Sequence, residues 1–350
     1  MFIRNTWYAA AWPAEVGRSL LSRRILDEPV LLWRTNSGQV VAVADRCSHR
    51  RVPLSLGRLV GDTVECGYHG LRFDPAGRCV HIPGQADIPP ETCIRAYPVV
   101  ERWKTVWLWM GEPSRADESL IPDLWWLDDR GWTGANGYVH LNANYQLLVD
   151  NLLDLSHVSF VHRETLAGPP EEAEIPVTIE SDGTMVRVGR WMLNLDPPPM
   201  FAAARGGFPG KVDRWQLVTW RPPATVVLDV GCAEAGSGAP EGNRSRGISM
   251  WSNHLITPET ETSTHYFWCY ARNYALDDGA VTSVLRDGGY KTFLEDAAMI
   301  EAQQRVLDSG RGGPAVDIRI DEAPLLARRM LGERLSAERA EGTAPRRARA

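Results

Sequence analysis

Two stretches of this 350-residue chain combine the side chains that transition metals need. Asp154, His157 and His162 stand at D-x2-H-x4-H spacing within Asn151-Leu-Leu-Asp-Leu-Ser-His-Val-Ser-Phe-Val-His162, a run whose other members are mostly apolar. If the run is helical, Asn151, Asp154 and His157 are three residues apart and share one face, which also carries Asp150. Burying imidazoles and carboxylates without partners is costly, so the cluster requires a ligand or a hydrogen-bond network. Two neutral imidazoles and a later carboxylate would form the facial triad that holds non-haem Fe(II) with open positions. A pair of core histidines hydrogen-bonded to nearby carboxylates is the structural alternative.

The second stretch offers Cys47-Ser-His49 and, sixteen residues further on, Cys66-Gly-Tyr-His69. Loop formers bracket both pairs. Cys2His2 ligation from two opposed loops can hold zinc or a Rieske [2Fe–2S] centre. Zinc fingers pair Cys with Cys on a knuckle and His with His on a helix, whereas here each loop brings one Cys and one His. That alternation suits a two-iron cluster with thiolates on one iron and imidazoles on the other. Imidazole in place of thiolate also removes negative charge and raises the potential, as an electron relay requires. The four remaining cysteines, Cys79, Cys93, Cys232 and Cys269, have no metal-ligand spacing and read as buried small apolar residues.

The elements that must position these residues fall into two parts. Residues 1–120 read as short strands between turns: Pro29-Val-Leu-Leu-Trp33, Val40-Val-Ala-Val-Ala44 and Thr105-Val-Trp-Leu-Trp-Met110, with turns at Thr35-Asn-Ser-Gly38 and Asp74-Pro-Ala-Gly77. An all-β sandwich or small barrel fits them. Leu120-Ile-Pro-Asp123 marks the boundary to a second domain over 121–335. After the His-containing run, residues 177–179, 185–194, 214–220, 225–230, 248–255 and 263–270 alternate as strands, predicting an antiparallel sheet of five to seven strands. Pro197-Pro-Pro199 and residues 202–210 are irregular and read as a flap over the site. Residues 282–309 predict a long helix with Phe293, Ala297, Ile300 and Leu307 at helical spacing. It carries Glu295-Asp296, whose side chains diverge by about 100° on a helix, so only one can face a given ion. On residue type alone Asp296, Glu295 and Glu301 are equivalent candidates. Residues 336–350 are charged and Ala-rich without apolar periodicity and read as a disordered tail.

Composition narrows the class. A net charge of -6 argues against nucleic acid as a partner. No apolar run approaches the roughly 18 residues that cross a bilayer, and Met1–Tyr8 shows no basic, apolar and cleavable leader. These features predict a cytoplasmic protein with no membrane association. No G-x-G-x-x-G opens a helix after a strand, and Gly236-Ser-Gly238 breaks that pattern at Glu241, so the chain should bind neither NAD(P)H nor flavin.

Cys47-Ser-His49 with Cys66-Gly-Tyr-His69-Gly70-Leu71, followed by D-x2-H-x4-H at 154–162, resembles the Rieske non-haem iron ring-hydroxylating oxygenases. Arg4-Asn-Thr-Trp-Tyr8, Pro98-Val-Val-Glu-Arg102, Leu148-Val-Asp-Asn-Leu-Leu-Asp154 and Ile256-Thr-Pro-Glu-Thr-Glu261 are similar to the oxygenase components of the vanillate O-demethylase type. The resemblance spans nearly the whole chain. It implies an α+β protein, with an N-terminal all-β Rieske domain followed by a helix-covered antiparallel-sheet catalytic domain. It implies Cys47, His49, Cys66 and His69 as cluster ligands, and His157, His162 and Asp296 as ligands of a mononuclear Fe(II). The third ligand in such oxygenases is the Asp of an E-D pair, which selects Asp296.

The same resemblance implies a terminal oxygenase that uses O2 and electrons from a separate reductase or ferredoxin, so that NAD(P)H serves only through that partner. The substrate would be an aromatic acid, with O-demethylation of a methoxybenzoate and release of formaldehyde as the first expectation. Hydroxylation of an aromatic methyl group or ring is the alternative within the family, and a Rieske electron carrier without oxygenase activity is the alternative outside it. Asp154 is expected as a bridge that accepts a hydrogen bond from an imidazole of each metal site. In a homotrimer the cluster-side imidazole would be His69 of the next chain. His254 occupies a place where a relative uses histidine towards its aromatic acid, which makes it a candidate substrate contact.

Overall fold

The computed structural model describes residues 1–163, 165–166, 170–197, 208–311 and 313–343. The chain divides into two compact units, Met1–Asp123 with Thr257–Glu261, and Leu124–Ile256 with Thr262–Ala350.

The first unit is built from three small antiparallel sheets. Strands β1 (Trp7–Ala11), β2 (Leu21–Ile25), β3 (Glu28–Arg34), β4 (Val40–Ala44), β5 (Arg58–Val60), β6 (Thr63–Glu65), β7 (Arg72–Phe73), β8 (Cys79–His81), β9 (Val99–Arg102) and β10 (Thr105–Trp109) pair in the orders β1-β10-β9, β2-β3-β4 and β5-β6-β7-β8. Successive side chains of a strand point to opposite faces, and β3 shows what that does here. Val30 and Leu32 join a core with Tyr8, Val106 and Leu108, while Leu31 and Trp33 join another with Val41, Val64 and Phe73. A strand buried on both faces needs the unbroken apolar run that Val30-Leu-Leu-Trp33 supplies. Cys47 and Cys66 belong to the second of these cores.

The second unit is a seven-stranded antiparallel sheet with helices. Its strands β11 (Thr133–Leu141), β12 (Thr178–Ser181), β13 (Val186–Leu195), β14 (Val212–Arg221), β15 (Thr225–Glu234), β16 (Gly247–Thr260) and β17 (Ser263–Arg272) lie in the order β11-β17-β16-β15-β14-β13-β12. Strand β11 was not apparent in the sequence, because Gly134 and Gly137 are poor strand formers. Both glycines serve packing: a Cβ at 137 would lie 2.1 Å from the Trp268 ring, and one at 134 would strike the Tyr270 carbonyl.

The helices are α1 (Tyr145–Leu153), α2 (Val158–Val161), α3 (Gly279–Asp308) and α4 (Glu322–Thr343). On α3 the buried positions Leu285, Gly289, Thr292, Phe293, Asp296, Ala297 and Ile300 recur at helical spacing. Phe293 packs among the rings of His254, Tyr266, Trp268 and Tyr270 on the sheet. Leu307, expected with this stripe, is exposed. Among the described residues, no helix is long and apolar enough to cross a membrane.

Other expectations need correction: Cys93, expected to be buried with the remaining cysteines, is exposed. Asn151, Asp154 and His157 do not share a helix face, because α1 ends at Leu153 and Asp154 leaves it with φ -96° and ψ 102°. Asp150 does not join the polar cluster; it pairs with Arg328 of α4, whose Nε lies 3.0 and 2.9 Å from its two oxygens. Residues 336–343, expected as part of a disordered tail, continue α4. Ala, Glu and Arg favour helix even where no apolar stripe marks one. Residues 198–207, most of the expected flap, lie outside the described residues.

Candidate metal centres

In the first unit the two Cys/His loops are built alike. The Cys47 N–H donates to the Val52 carbonyl and the Arg51 N–H returns to the Cys47 carbonyl, both at 2.9 Å. In the other loop the Cys66 N–H donates to Leu71 O at 2.8 Å and the Gly70 N–H to Cys66 O at 3.0 Å. The residue four beyond each cysteine has positive φ, Arg51 at 61° and Gly70 at 72°. At 70 that conformation favours glycine, and a Cβ there would lie 3.0 Å from Pro83. Asp45 steadies the approach to Cys47 by accepting from Ser22 Oγ at 2.8 Å and from Ser55 N and Oγ, both at 2.7 Å.

The two knuckles turn their cysteines inward and their histidines outward. Cys47 and Cys66 are buried and close enough for the thiols to interact; burial first, then that neighbour, raises the Cys47 pKa. His49 and His69 are exposed, with ring centroids 4.7 Å apart, and line one surface depression with Ser48, Pro83 and Gln85. Two thiols on the inner side and two imidazoles on the outer side fit a cluster with S- and N-ligated irons.

In the second unit His157, His162 and Asp296 come together, with ligand atoms all within 4.8 Å of one another. Asp296 Oδ1 lies 3.1 Å from His162 Nε2 and 3.5 Å from His157 Nε2. Ligands about 2.1 Å from an ion at right angles would be about 3 Å apart, so the set fits one metal. Both histidines are tied at Nδ1, which directs Nε2 inward. The His157 Nδ1–H donates to the Asp154 backbone carbonyl, and the His162 Nδ1–H donates to Glu295 Oε2 at 2.9 Å. Thr165 Oγ1 donates to the same Glu295 oxygen at 2.7 Å, and Asn151 Nδ2 donates to Asp296 Oδ1 at 3.1 Å. Burial holds His157 neutral by lowering its pKa. At His162 burial acts the same way, but Asp296 and Glu295 outweigh it and raise the pKa, so the pocket favours positive charge.

The three carboxylates equivalent on residue type are thereby distinguished. Asp296 faces both Nε2 atoms, Glu295 faces a ring edge, and Glu301 accepts from Asn142 N and Nδ2 at 2.8 and 3.0 Å. The Asp154 carboxylate differs from expectation at the mononuclear site. It accepts from Ser156 N at 2.8 Å and Ser156 Oγ at 2.6 Å, while the backbone carbonyl of Asp154 serves His157.

The triad sits on the wall of a cavity of about 110 Å3 between the sheet and the helices of the second unit. Leu228, Val230 and Met250 give it an apolar middle. His254 lines it too, buried, with Ser252 Oγ 3.0 Å from Nε2 and Tyr266 Oη on Nδ1. Burial pushes the His254 pKa down to about 3. Arg214 and Gln216, which no spacing in the sequence singled out, line the same cavity. Only the alternation of β14 could have marked them as sharing a face.

Family models match both halves of the chain: a Rieske [2Fe-2S] domain over residues 6–98 and a vanillate O-demethylase oxygenase C-terminal domain over 141–337. The iron-sulfur subunit of a toluene-4-sulfonate monooxygenase system from Comamonas testosteroni is 47% identical, over 99% of this chain and 100% of that protein. A vanillate O-demethylase oxygenase subunit from a Pseudomonas species is 37% identical, over 97% of this chain and 96% of its own length. A crystal structure of dicamba monooxygenase bound to 3,6-dichlorosalicylic acid superposes with a TM-score of 0.90 at 33% identity, covering 97% of this chain and 99% of that one.

Two outcomes follow from this geometry. Glu295→Ala should weaken Fe(II) retention by about 10- to 100-fold against a chelator and leave cluster content unchanged, with Glu295→Gln milder; equal retention in all three proteins would refute the anchoring of His162. Between pH 6.5 and 3 the unfolded chain binds a proton that native His254 refuses. Its contribution to stability is therefore complete above pH 6.5 and declines by about 1.4 kcal/mol per unit as the pH falls through that window. Urea denaturation should show the gap between wild type and His254→Gln narrowing from pH 7 to pH 5, and a constant gap would contradict this.

Proposed function

The chain belongs to the Rieske non-haem iron oxygenases of the vanillate O-demethylase type and is an oxygenase component, and from that premise we propose that it oxidises the methyl carbon of a methoxy- or methyl-substituted aromatic acid. In this reading Cys47, Cys66, His49 and His69 hold the [2Fe–2S] cluster, and His157, His162 and Asp296 hold the mononuclear iron. Bound there, the cluster supplies electrons one at a time and the iron supplies activation of O2.

The observation that carries the reading is the convergence of two Nδ1-anchored imidazoles and one carboxylate on the wall of a small, largely apolar cavity. Leu228, Val230 and Met250 exclude water from the ring. Asn151 steadies Asp296, and His254 stays neutral, leaving its ring edge as a substrate contact. Hydroxylation of an aryl methoxy carbon gives a hemiacetal that collapses to formaldehyde and a phenol, whereas an aryl methyl gives a benzylic alcohol. Similarity to the demethylase subunit favours the first outcome, and 47% identity to the toluene-4-sulfonate protein favours the second.

The purified chain, with a surrogate reductase and NADH, should oxidise 4-methoxybenzoate with formaldehyde release or toluene-4-sulfonate at its methyl group, and should contain about three irons per chain. About two irons and no O2-dependent product would leave an electron carrier instead. Ring hydroxylation with the methyl group intact would reject methyl oxidation.

The half-buried Asp154 carboxylate borders a surface depression of about 240 Å3 together with Ser156, Arg190 and Arg319. There it would receive His69 of a neighbouring subunit in a head-to-tail homotrimer and link the two metal sites. Asp154→Asn should then keep the iron and sulfide content and lose turnover, with cluster reoxidation slowed in single-turnover experiments. Near-normal reoxidation would rule out the bridge.

A further inference from the structure

One wall of the iron cavity carries a cation that the metal chemistry does not use. Arg214 on β14 lines the cavity and is largely buried, and its Nη1 lies 3.3 Å from Oε2 of buried Glu172. Its Nε and Nη2 have no partner among the described residues. Gln216, two residues along and on the same face, accepts at Oε1 from Arg190 Nε at 3.1 Å and Nη2 at 2.6 Å. A guanidinium only donates, so the accepting atom must be the amide oxygen, and the Gln216 NH2 group has no acceptor among the described residues. Two neighbouring side chains that line the cavity thus carry N–H groups with no partner among the described residues.

The charges lean the same way. Arg190 and Arg214 share Glu172, since Arg190 Nη1 donates to its backbone carbonyl while its carboxylate serves Arg214. Burial pulls the pKa of both guanidiniums down, the sign of cations held with less solvation than they would find in water.

The position is the informative part. Arg214 pairs with Cys232, and Cys232 with Ile248, whereas His254 lies three same-face steps further along β16. Each step is about 7 Å. Phe293, one helical turn from Asp296 on α3, packs against His254. Along the strand direction the Val230–Met250 row lies between Arg214 and His254.

We propose that Arg214, assisted by the Gln216 amide, anchors the anionic group of the substrate, a carboxylate or sulfonate, so that the opposite end of the ring points at the metal. The site thereby selects aromatic anions over neutral molecules of the same shape. This rests on the reading of the chain as an oxygenase of aromatic acids and adds the residue that recognises the acid. A forked guanidinium matches two oxygens of either group, and charge-assisted contacts in a dry pocket are the strong kind.

The test is the ratio of binding between an acid and its neutral isostere, measured by calorimetry on protein with its full metal content. The pairs are toluene-4-sulfonate with toluene-4-sulfonamide and 4-methoxybenzoate with 4-methoxybenzamide. Wild type should favour the acid by about 10- to 100-fold. Arg214→Gln combined with Glu172→Gln, which leaves no buried carboxylate unpaired, should bring the ratio close to one with the amide affinity little changed. Arg214→Lys should retain part of the preference, and it decides the matter should the double variant fail to fold. A folded variant that keeps the wild-type ratio, or a wild type that binds acid and amide equally, would overturn the anchor. A purely structural arginine would weaken both members of each pair alike. Wild type that oxidises no aromatic acid at all would instead remove the functional reading beneath the proposal.

Discussion

Imidazoles five positions apart on a regular helix diverge by about 140°, yet His157 and His162 converge, because they flank the single turn α2 and His162 leaves it with φ -102° and ψ 33°. The short turn α2, set off from α1 at Asp154, is the constraint on which the candidate mononuclear site depends. Where α1 stops, the carbonyl of Asp154 has no helical N–H to accept from, and it takes the Nδ1–H of His157 instead. The chain then makes one short turn, α2, with His157 and His162 at its two ends and their ring centroids 5.1 Å apart. The other Nδ1 is tied from a different element, by Glu295 of α3. The adjacent pair Glu295-Asp296 thus serves two edges of one imidazole, with Glu295 at Nδ1 and Asp296 at Nε2. The 100° between neighbours on a helix, which prevents both from binding the same ion, is what lets them divide these tasks.

The cavity combines a few charged side chains with a largely apolar lining. Asp296 sits in the apolar stripe of α3, next to Phe293 and Ala297 and one turn from Ile300, where an uncompensated carboxylate would be expensive. Asn151 gives it one hydrogen bond, and the imidazoles face the same oxygen. Around it the polar side chains His254, Tyr266 and Tyr270 are kept uncharged, because burial lowers the histidine pKa and raises those of the tyrosines. The guanidinium of Arg214 lines the same cavity.

What was legible in the sequence follows from which interactions are local. The cluster loops were legible because each Cys/His pair is held by bonds within its own knuckle, so the spacing carries the geometry. The long helix and six strands were legible from periodicity. The break at Asp154 was not, since nothing between Leu153 and Val158 is a strong helix breaker. The partners of Glu295 and Asp150 come from other elements, and sequence distance says nothing about them. Strand β11 was hidden because its glycines answer to Trp268 and Tyr270 on β17 rather than to strand propensity. Arg214 and Gln216 were hidden because only the register of β14 against β15 and β16 puts them on the face that carries His254.

The two candidate metal sites place histidine in opposite surroundings, and the difference matches the chemistry proposed for each. At the cluster loops the thiols face a core with Trp33, Leu54, Val64 and Phe73, while both imidazoles lie at the surface. Electron exchange requires close approach of a partner but no exclusion of water, so an exposed imidazole edge is the serviceable side of such a centre and the buried thiolates protect the other. At the mononuclear site His162 and Asp296 are almost fully buried and His157 largely so. The proposed oxidation of a substrate C–H bond is served by that arrangement, because water admitted there would compete with the substrate. The same side chain is therefore placed outside where contact is the function and inside where dryness is, and the fold of each unit can be understood as the means of keeping those two placements distinct.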